Sequence, residues 1–91
     1  MRLWVVVPAF DEAAGITATL DALAAQTDRD FRVLVVDNAS TDGTADVVRA
    51  HPLGARVVVE PQRGTGAAAD TGMRHAIAAG ATHLARTDAD S

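Results

Sequence analysis

The chain has 91 residues, which is enough for one small domain and too few for two. Its formal net charge is −4, and its eight basic residues are all arginine, so the composition argues against a surface that binds nucleic acid polymers. The sequence contains no cysteine, which excludes disulfides and thiolate chemistry, and no apolar run approaches the ~18 residues that a membrane span needs.

Four apolar runs rich in valine alternate with three helical patterns. Strands are predicted at residues 3–7, 31–36, 56–60 and 82–87, and helices at 13–25, from a cap at Ser40 or Thr41 to His51, and at 67–79. Pro8 lacks a backbone donor, so the first strand is predicted to end there. The alternation predicts an α/β, Rossmann-like fold, β-α-β-α-β-α-β, with a mainly parallel sheet.

Polar residues follow the predicted strands, and open α/β sheets bind ligands outside the carboxyl ends of their strands. Asp37 follows the second strand, where its carboxylate can accept a hydrogen bond from a nucleobase or a ribose hydroxyl. A turn residue that serves its own backbone is the alternative for Asp37. Asp42 is interpreted as structural, because Asp42-Gly43 is a turn signal near a helix start.

The fourth strand is followed by Asp88-Ala89-Asp90. Residues i and i+2 can point the same way, so Asp88 and Asp90 can reach one hard cation such as Mg²⁺ or Mn²⁺. The alternative is a solvated chain end.

The loop after the first strand, Pro8-Ala9-Phe10-Asp11-Glu12, is in a position to line a base pocket. A helix-start signature explains the same residues without a ligand.

The loop before the third helix contains Arg63-Gly64-Thr65-Gly66. Such a loop presents backbone N–H groups to phosphate oxygens, and Arg63 adds charge; a flexible connection is the alternative. The segment is neither a dinucleotide fingerprint nor a P-loop. The three histidines show no metal-ligand spacing and are predicted to be surface residues.

Taken together, four stretches resemble the N-terminal half of a family 2 glycosyltransferase with its GT-A fold. VVVPAFDE resembles the opening strand and its P-x-Y-N-E loop, and LVVDNASTDGTADVV resembles the VVD-D/N-x-S-x-D-x-T segment. RGTGAAADTGMRHA resembles the G-x-x-x-A-R-N-x-G helix, and DAD resembles the family's D-x-D. The resemblance implies that residues 1–91 are the nucleotide-sugar-binding part of a GT-A domain, truncated at Ser91.

The resemblance also implies a site and its ligands. The residues implied in nucleotide binding are Pro8, Ala9, Phe10, Glu12, Asp37, Arg63, Gly64 and Asp88. Asp37 is implied to contact the base, usually uracil, and Asp90 with Asp88 to hold Mn²⁺ or Mg²⁺ against the diphosphate of the donor. Phe10, Asp11, Ala69 and Asp70 depart from the family's usual Tyr, Asn, Arg and Asn.

The function expected from this resemblance is metal-assisted, inverting transfer of a hexose from a nucleotide sugar, UDP-linked by expectation. The acceptor is a saccharide, lipid or protein, and the catalytic base is expected beyond Ser91. The alternatives are a nucleotidyltransferase, disfavoured because the PAFDE loop is acidic and lacks glycine, and a truncated module that binds nucleotide without catalysis. We also expect a cytoplasmic location, at the membrane face in a longer parent, and self-association through exposed apolar surface.

Overall fold

The computed structural model describes residues 2–26 and 30–89. Its elements are β1 (Leu3–Ala9), α1 (Ile16–Ala24), β2 (Phe31–Asp37), α2 (Thr44–Ala50), β3 (Arg56–Val59), α3 (Thr65–Ala78) and β4 (His83–Arg86). The predicted alternation of strands and helices is confirmed. None of the helices in the described part of the chain has the length and apolar character that crossing a membrane requires.

The four strands form one parallel sheet in the order β3-β2-β1-β4. Val5 in β1 pairs with Val33 in β2 on one side and with Ala85 in β4 on the other. The chain builds the sheet outward from β1 through β2 to β3 and then crosses back to place β4 on the other side of β1. The strand order therefore reverses between β1 and β4, which is where a parallel sheet opens a crevice for a ligand.

Side-chain alternation along β1 and β2 divides the core into two layers. One layer lies between the sheet and helices α1 and α2, and its buried residues are Val5, Val7, Ala9, Ile16, Leu20, Val33, Val35, Val48 and Ala89. The other lies against α3, and its buried residues are Trp4, Val6, Leu34, Val36, Ala68 and Ala76. Both faces of β1 and β2 are thus covered, which explains why these strands read as continuous apolar runs.

Helix α3 approaches the sheet closely at Gly72. A Cβ atom at this position would collide with Cγ1 of Val6 and would lie 2.8 Å from Cγ2 of Val36. Both valines are fully buried, so neither side chain has space to retreat. The absence of a side chain at Gly72 therefore sets how near α3 packs to β1 and β2.

The first strand does not end at Pro8 as predicted; it continues to Ala9, which pairs with Asp37. The carbonyl of Val6 points toward β4, where it accepts the N–H of Thr87. Pro8 is two residues further on and faces the same side, beyond the last β1–β4 pair at Arg86. Because Pro8 faces β4 and not β2, its missing N–H removes no hydrogen bond between β1 and β2.

The helix ends also differ from the sequence expectations. Helix α1 begins at Ile16 because the N–H groups of Gly15 and Ile16 both turn back to the Glu12 carbonyl. The N-cap of α2 is Gly43, with φ +83°, instead of Ser40 or Thr41. Helix α3 begins at Thr65, two residues before the predicted start at residue 67, and ends at Ala78.

Candidate functional site

A cavity of about 300 Å³ opens at the carboxyl edge of the sheet, where the strand order reverses. It is lined by Pro8, Ala9, Phe10, Glu12, Asn38, Ala68, Asp88 and Ala89. The lining therefore comes from the ends of β1, β2 and β4 and from the first turns of α3. Of the residues predicted in nucleotide binding, Pro8, Ala9, Phe10, Glu12 and Asp88 meet here.

A wider groove of about 540 Å³ lies at the opposite edge of the sheet, where Arg2, Trp4 and Arg32 contribute to its walls. The C-terminal ends of the helices point toward this edge. A guanidinium nitrogen of Arg2 lies 3.0 Å from the position of a Cβ on Gly80, beside the end of α3. The arginine thus complements the negative end of the helix dipole, which accounts for its position without a ligand.

The loop after β1 is fastened to the loop after β2 by a reciprocal pair of hydrogen bonds. The N–H of Asp11 donates to Oγ of Ser40 at 2.9 Å, and Oδ1 of Asp11 accepts the N–H of Thr41 at 2.8 Å. Asp11 has φ +49°, a conformation that aspartate tolerates better than most residues. Ser40 and Asp11 therefore fix the course of the pocket wall.

A second pair of contacts continues this fastening through Asp42 and Thr44. Oδ2 of Asp42 accepts the N–H of Ala13 at 3.0 Å, and Oγ1 of Thr44 accepts the N–H of Glu12 at 3.0 Å. The hydroxyl of Thr44 also donates to Oδ1 of Asp42. These contacts, led by the Thr44 hydroxyl and the Ala13 N–H, hold the pKa of Asp42 below its ordinary value of 3.8. They agree with a structural role for Asp42.

Asp37 lies beside the cavity and is not part of its lining. Asp37 as a whole residue is 6% exposed, and its carboxylate oxygen Oδ1 accepts the N–H of Ser40 at 3.1 Å. This favours the turn role that the sequence left open, and contact with a base stays a prediction. The next residue, Asn38, lines the cavity in its place.

Asn38 clamps the loop before α3 with every hydrogen-bonding group of its side chain. Nδ2 donates to the carbonyl oxygens of Glu60 and Gln62 at 2.9 and 2.6 Å, and Oδ1 accepts the N–H of Gly64 at 3.0 Å. Asn38 is 5% exposed, so these contacts are shielded from water. Sequence reasoning missed this residue; its only signal was an amide placed directly after a buried strand.

The clamped loop places Arg63 against Phe10. The guanidinium carbon of Arg63 lies 4.0 Å from the centroid of the Phe10 ring, a cation–π contact at the mouth of the cavity. Gly64, with φ +129°, makes the turn into α3 in a conformation that other residues avoid. The structure thus brings Arg63 and Gly64 to the rim of the cavity rather than into its lining.

Asp88 enters the cavity from the end of β4, and its Oδ1 lies 3.3 Å from Nε of Arg86. The hydroxyl of Thr19 donates to the carbonyl of Ala89 at 3.1 Å and ties this end to α1. Asp90, the other predicted metal ligand, lies outside the described residues.

The described residues supply one carboxylate, Asp88, to a divalent cation at this position. No group of three or more His, Cys, Asp or Glu side chains that could hold a metal occurs within residues 2–26 and 30–89. Magnesium-type ions at nucleotide sites need only one or two carboxylates, because phosphate oxygens and water complete the shell. Asp88 supplies one such carboxylate, and Asp90 follows it two positions later in the sequence.

The prediction that all three histidines lie at the surface is wrong for His51. Its side chain is 8% exposed, and Nε2 lies 2.7 Å from Oδ1 of Asp21 in α1. Its Nδ1 accepts the N–H of Leu53 at 3.0 Å. His51 therefore joins the end of α2 to α1, away from the cavity.

The fold of the sheet and its helices matches the GT-A class of glycosyltransferases. A mannosyltransferase from Pyrobaculum calidifontis, solved in complex with GDP-Man and Mn²⁺, superposes with a TM-score of 0.80 at 39% identity over 98% of this chain and 27% of that one. Glucosyl-3-phosphoglycerate synthase from Mycobacterium tuberculosis, solved with Mn²⁺, UDP and glucosyl-3-phosphoglycerate, gives 0.76 at 28% identity over 97% and 33%.

Residues 4–91 match the family model described as glycosyl transferase family 2, and the chain belongs to that family. An uncharacterized glycosyltransferase of Mycobacterium tuberculosis is 44% identical over 86 residues, which cover 94% of this chain. The chain spans about a third of that relative's length, 35%.

Proposed function

We propose that this chain is the donor-binding part of a glycosyltransferase that moves a sugar from a nucleoside-diphosphate sugar to an acceptor. The observation that carries the proposal is the cavity between the ends of β1 and β4, which Glu12 and Asp88 both line. The chain that forms this cavity belongs to glycosyl transferase family 2. A carboxylate on each side of a crevice at this point of a parallel sheet suits recognition of nucleoside and of cation-bound phosphate.

The predicted residues at the cavity and its rim each have a proposed task, and contact of Asp37 with the base stays a prediction. Pro8, Ala9 and Phe10 pack against the nucleoside, while Glu12 accepts hydrogen bonds from it. Arg63 and the N–H groups beyond Gly64 face the phosphates. Asp88, with Asp90, holds Mn²⁺ or Mg²⁺, which when bound offsets the charge of the departing diphosphate.

The proposal also covers the stereochemistry, the transferred sugar and the acceptor. We infer inversion at the sugar carbon, a hexose as the transferred group, and a saccharide, lipid or protein acceptor. The catalytic base is not among the residues assigned here. The resemblance favours a UDP-sugar, whereas the similar structures contain GDP-Man in one case and UDP in another. A cytoplasmic location stays a prediction.

Calorimetric titration of the chain with UDP and with GDP, each with and without Mn²⁺, tests the proposal. We expect saturable binding that Mn²⁺ strengthens, and a loss of the Mn²⁺ effect in Asp88→Asn and in Asp90→Ala. Asp46→Asn is the matched control, because Asp46 is an exposed carboxylate on α2 that pairs only locally with Arg49. Failure of a demonstrably folded chain to bind either nucleotide would overturn the proposal.

Turnover distinguishes an enzyme from a binding module. Because the catalytic base is expected beyond Ser91, the isolated 91-residue chain is expected to be inactive, and turnover is compared between this chain and a longer parent protein. Transfer from a radiolabelled nucleotide sugar by the parent, abolished in Asp88→Asn, supports catalysis. Nucleotide binding without turnover by the parent would instead support the non-catalytic alternative.

A further inference from the structure

We propose that β3 binds a second copy of this chain, in a two-fold dimer that joins the two sheets edge to edge. β3 is an edge of the sheet, because β2 pairs with one side of it and no strand of the described residues pairs with the other. The inference goes beyond the proposed function and does not depend on it, since the residues that line the cavity come from other elements.

The backbone of β3 directs alternate residues toward β2 and away from it. The N–H of Glu60 donates to the carbonyl of Asp37 at 2.9 Å, so the backbone of Glu60 faces β2. By strand alternation Val58 faces β2 as well, while the N–H and C=O groups of Val57 and Val59 point out of the sheet. Outward groups of this kind are a template for pairing with another strand.

The side chains of β3 do not block such pairing. Edge strands usually avoid it with lysine, proline or a bulge, whereas the centre of β3 is a run of three valines, residues 57–59. Val57 and Val58 pack against the two core layers, but Val59 is 56% exposed. Val59 is therefore the apolar side chain of β3 that a partner strand has most to cover.

The segment of residues 56–60 is complementary to itself when two copies pair antiparallel about Val58. Val57 then lies opposite Val59 of the second copy, and each of the two symmetric pairs exchanges both of its outward backbone hydrogen bonds. Arg56 lies opposite Glu60 of the second copy, again twice by symmetry. The dimer thus matches backbone groups, valines and charges in one register.

Other registers lose part of this match. Centring the pair on Val57 moves the two charged residues out of opposition. Centring it on Val59 places Pro61, which lacks an N–H, opposite Val57. Centring it on Arg56 sets like charges against each other, which destabilises a strand pair. The charges therefore specify pairing about Val58.

Both charged side chains lie on the α3 face of the sheet. The guanidinium carbon of Arg56 is 5.6 Å from the centroid of the Trp4 ring, and the carboxylate of Glu60 accepts the Thr71 hydroxyl and the Gln62 N–H. These contacts, led by the Thr71 hydroxyl, hold the pKa of Glu60 below its ordinary value of 4.5, so the carboxylate is charged at neutral pH. A carboxylate has about four acceptor positions, so it can take an arginine from the second copy as well.

Sedimentation equilibrium with a charge exchange tests the dimer. All proteins carry Leu84→Lys, which charges the opposite edge strand and isolates the β3 contact. We expect a monomer–dimer equilibrium in the micromolar range, because a short strand gives a small interface. Arg56→Glu and Glu60→Arg should each weaken the dimer roughly tenfold, since each opposes like charges twice, and the two changes together should restore it.

Two further variants separate pairing from changes in net charge or folding. Arg49→Glu makes the same charge change as Arg56→Glu on the exposed face of α2 and should leave the dimer intact. Val59→Lys should weaken the dimer roughly tenfold or more without removing a side-chain contact of Glu60. Circular dichroism confirms that each variant is folded before its association is compared.

Amide hydrogen exchange identifies the strand involved. The N–H groups of Val57 and Val59 point out of the sheet in the monomer, so their protection should rise with chain concentration. A chain that stays monomeric into the millimolar range would overturn the inference. So would a dimer in which these two amides stay unprotected, an equal loss in Arg49→Glu, or a folded double variant that fails to recover the dimer.

Discussion

The amide oxygen of Asn38 accepts the backbone N–H of Gly64 at 3.0 Å, across 26 residues of sequence. This contact joins the carboxyl end of β2 to the start of α3. Because Asn38 also lines the cavity, the same side chain that shapes the site fixes the loop that carries Arg63.

Asn38→Ala should lower the free energy of unfolding by about 2–3 kcal/mol, because two carbonyl oxygens and one N–H lose their partner in a shielded place. Urea denaturation measures the change. Gln62→Ala is the control: it keeps the carbonyl that Asn38 binds, removes an exposed side chain, and should stay within about 0.5 kcal/mol of the unmodified chain. Equal effects of the two variants would refute the clamp.

Gly72→Ala should destabilise the chain by about 1–3 kcal/mol, since the added methyl group meets Val6 and Val36 in a filled layer. That cost exceeds the gain of ~1 kcal/mol in helix propensity. Gly66→Ala, in the same helix but with no atom within 4 Å of the new Cβ, should be neutral or stabilising. Val6→Ala in the Gly72→Ala background should recover part of the loss, and strict additivity in this double-mutant cycle would count against the steric account.

Stability should decline in acid partly through Asp42 and Glu60. The Thr71 hydroxyl, ahead of the Gln62 N–H, holds the pKa of Glu60 below its ordinary value of 4.5, as the Thr44 hydroxyl does for Asp42. A carboxyl whose folded pKa is depressed stabilises the fold fully above its unfolded pKa. That contribution is lost as the pH falls through the folded pKa.

Urea titrations over the acid range measure this loss. Asp42→Asn and Thr71→Val should each make the stability less dependent on pH below the ordinary carboxyl pKa values. An unaltered pH dependence in both variants would show that these contacts do not set it.

His51 should be the Nε2–H tautomer when neutral, because Nδ1 must keep a lone pair to accept the Leu53 N–H. Nε2 then donates to Asp21. Two-bond proton–nitrogen correlation spectra report the tautomer directly, and signals of an Nδ1–H imidazole would contradict the assignment. His75 is exposed and provides an internal reference for an unconstrained ring, whereas Nδ1 of His83 lies 3.0 Å from Oγ1 of Thr82.

Self-association beyond the β3 dimer stays a prediction, and β4 is its expected contact. All four residues of β4 are exposed, β4 is an edge of the described sheet, and Leu84 is 37% exposed. Sedimentation should show concentration-dependent association that Leu84→Lys reduces, because a charge on an edge strand opposes pairing. Ile77→Lys places the same charge on α3, and an equal reduction by this variant would point to another surface.

The sequence predicted the strands and helices better than it predicted the contacts between the loops that connect them. Val33 to Val36 form a continuous apolar run because both faces of β2 are covered, so the strand and its parallel partners were visible in the sequence. Which of Asp37 and Asn38 faces the cavity was not visible. The side chains of successive strand residues point to opposite faces of the sheet. Where β2 ends is fixed by the pairing of Asp37 with Ala9 of β1.

The loop contacts escaped prediction for a related reason. Ser40, Asp42 and Thr44 suggest a helix cap when only local sequence is considered. In the structure their side chains bind the backbone of residues 11–13, about 30 positions earlier. Such partners depend on how β1 and β2 lie side by side, which residue type does not encode.

The order β3-β2-β1-β4 would make occupancy of the proposed nucleotide site a measure of global folding. Segments around residues 8–12, 38, 68 and 88–89 converge only when the sheet is assembled across its non-local pairings. A ligand that contacts all of these segments binds the native state and not a partly unfolded one. At nucleotide concentrations above the dissociation constant, the melting temperature should therefore rise with the logarithm of the nucleotide concentration.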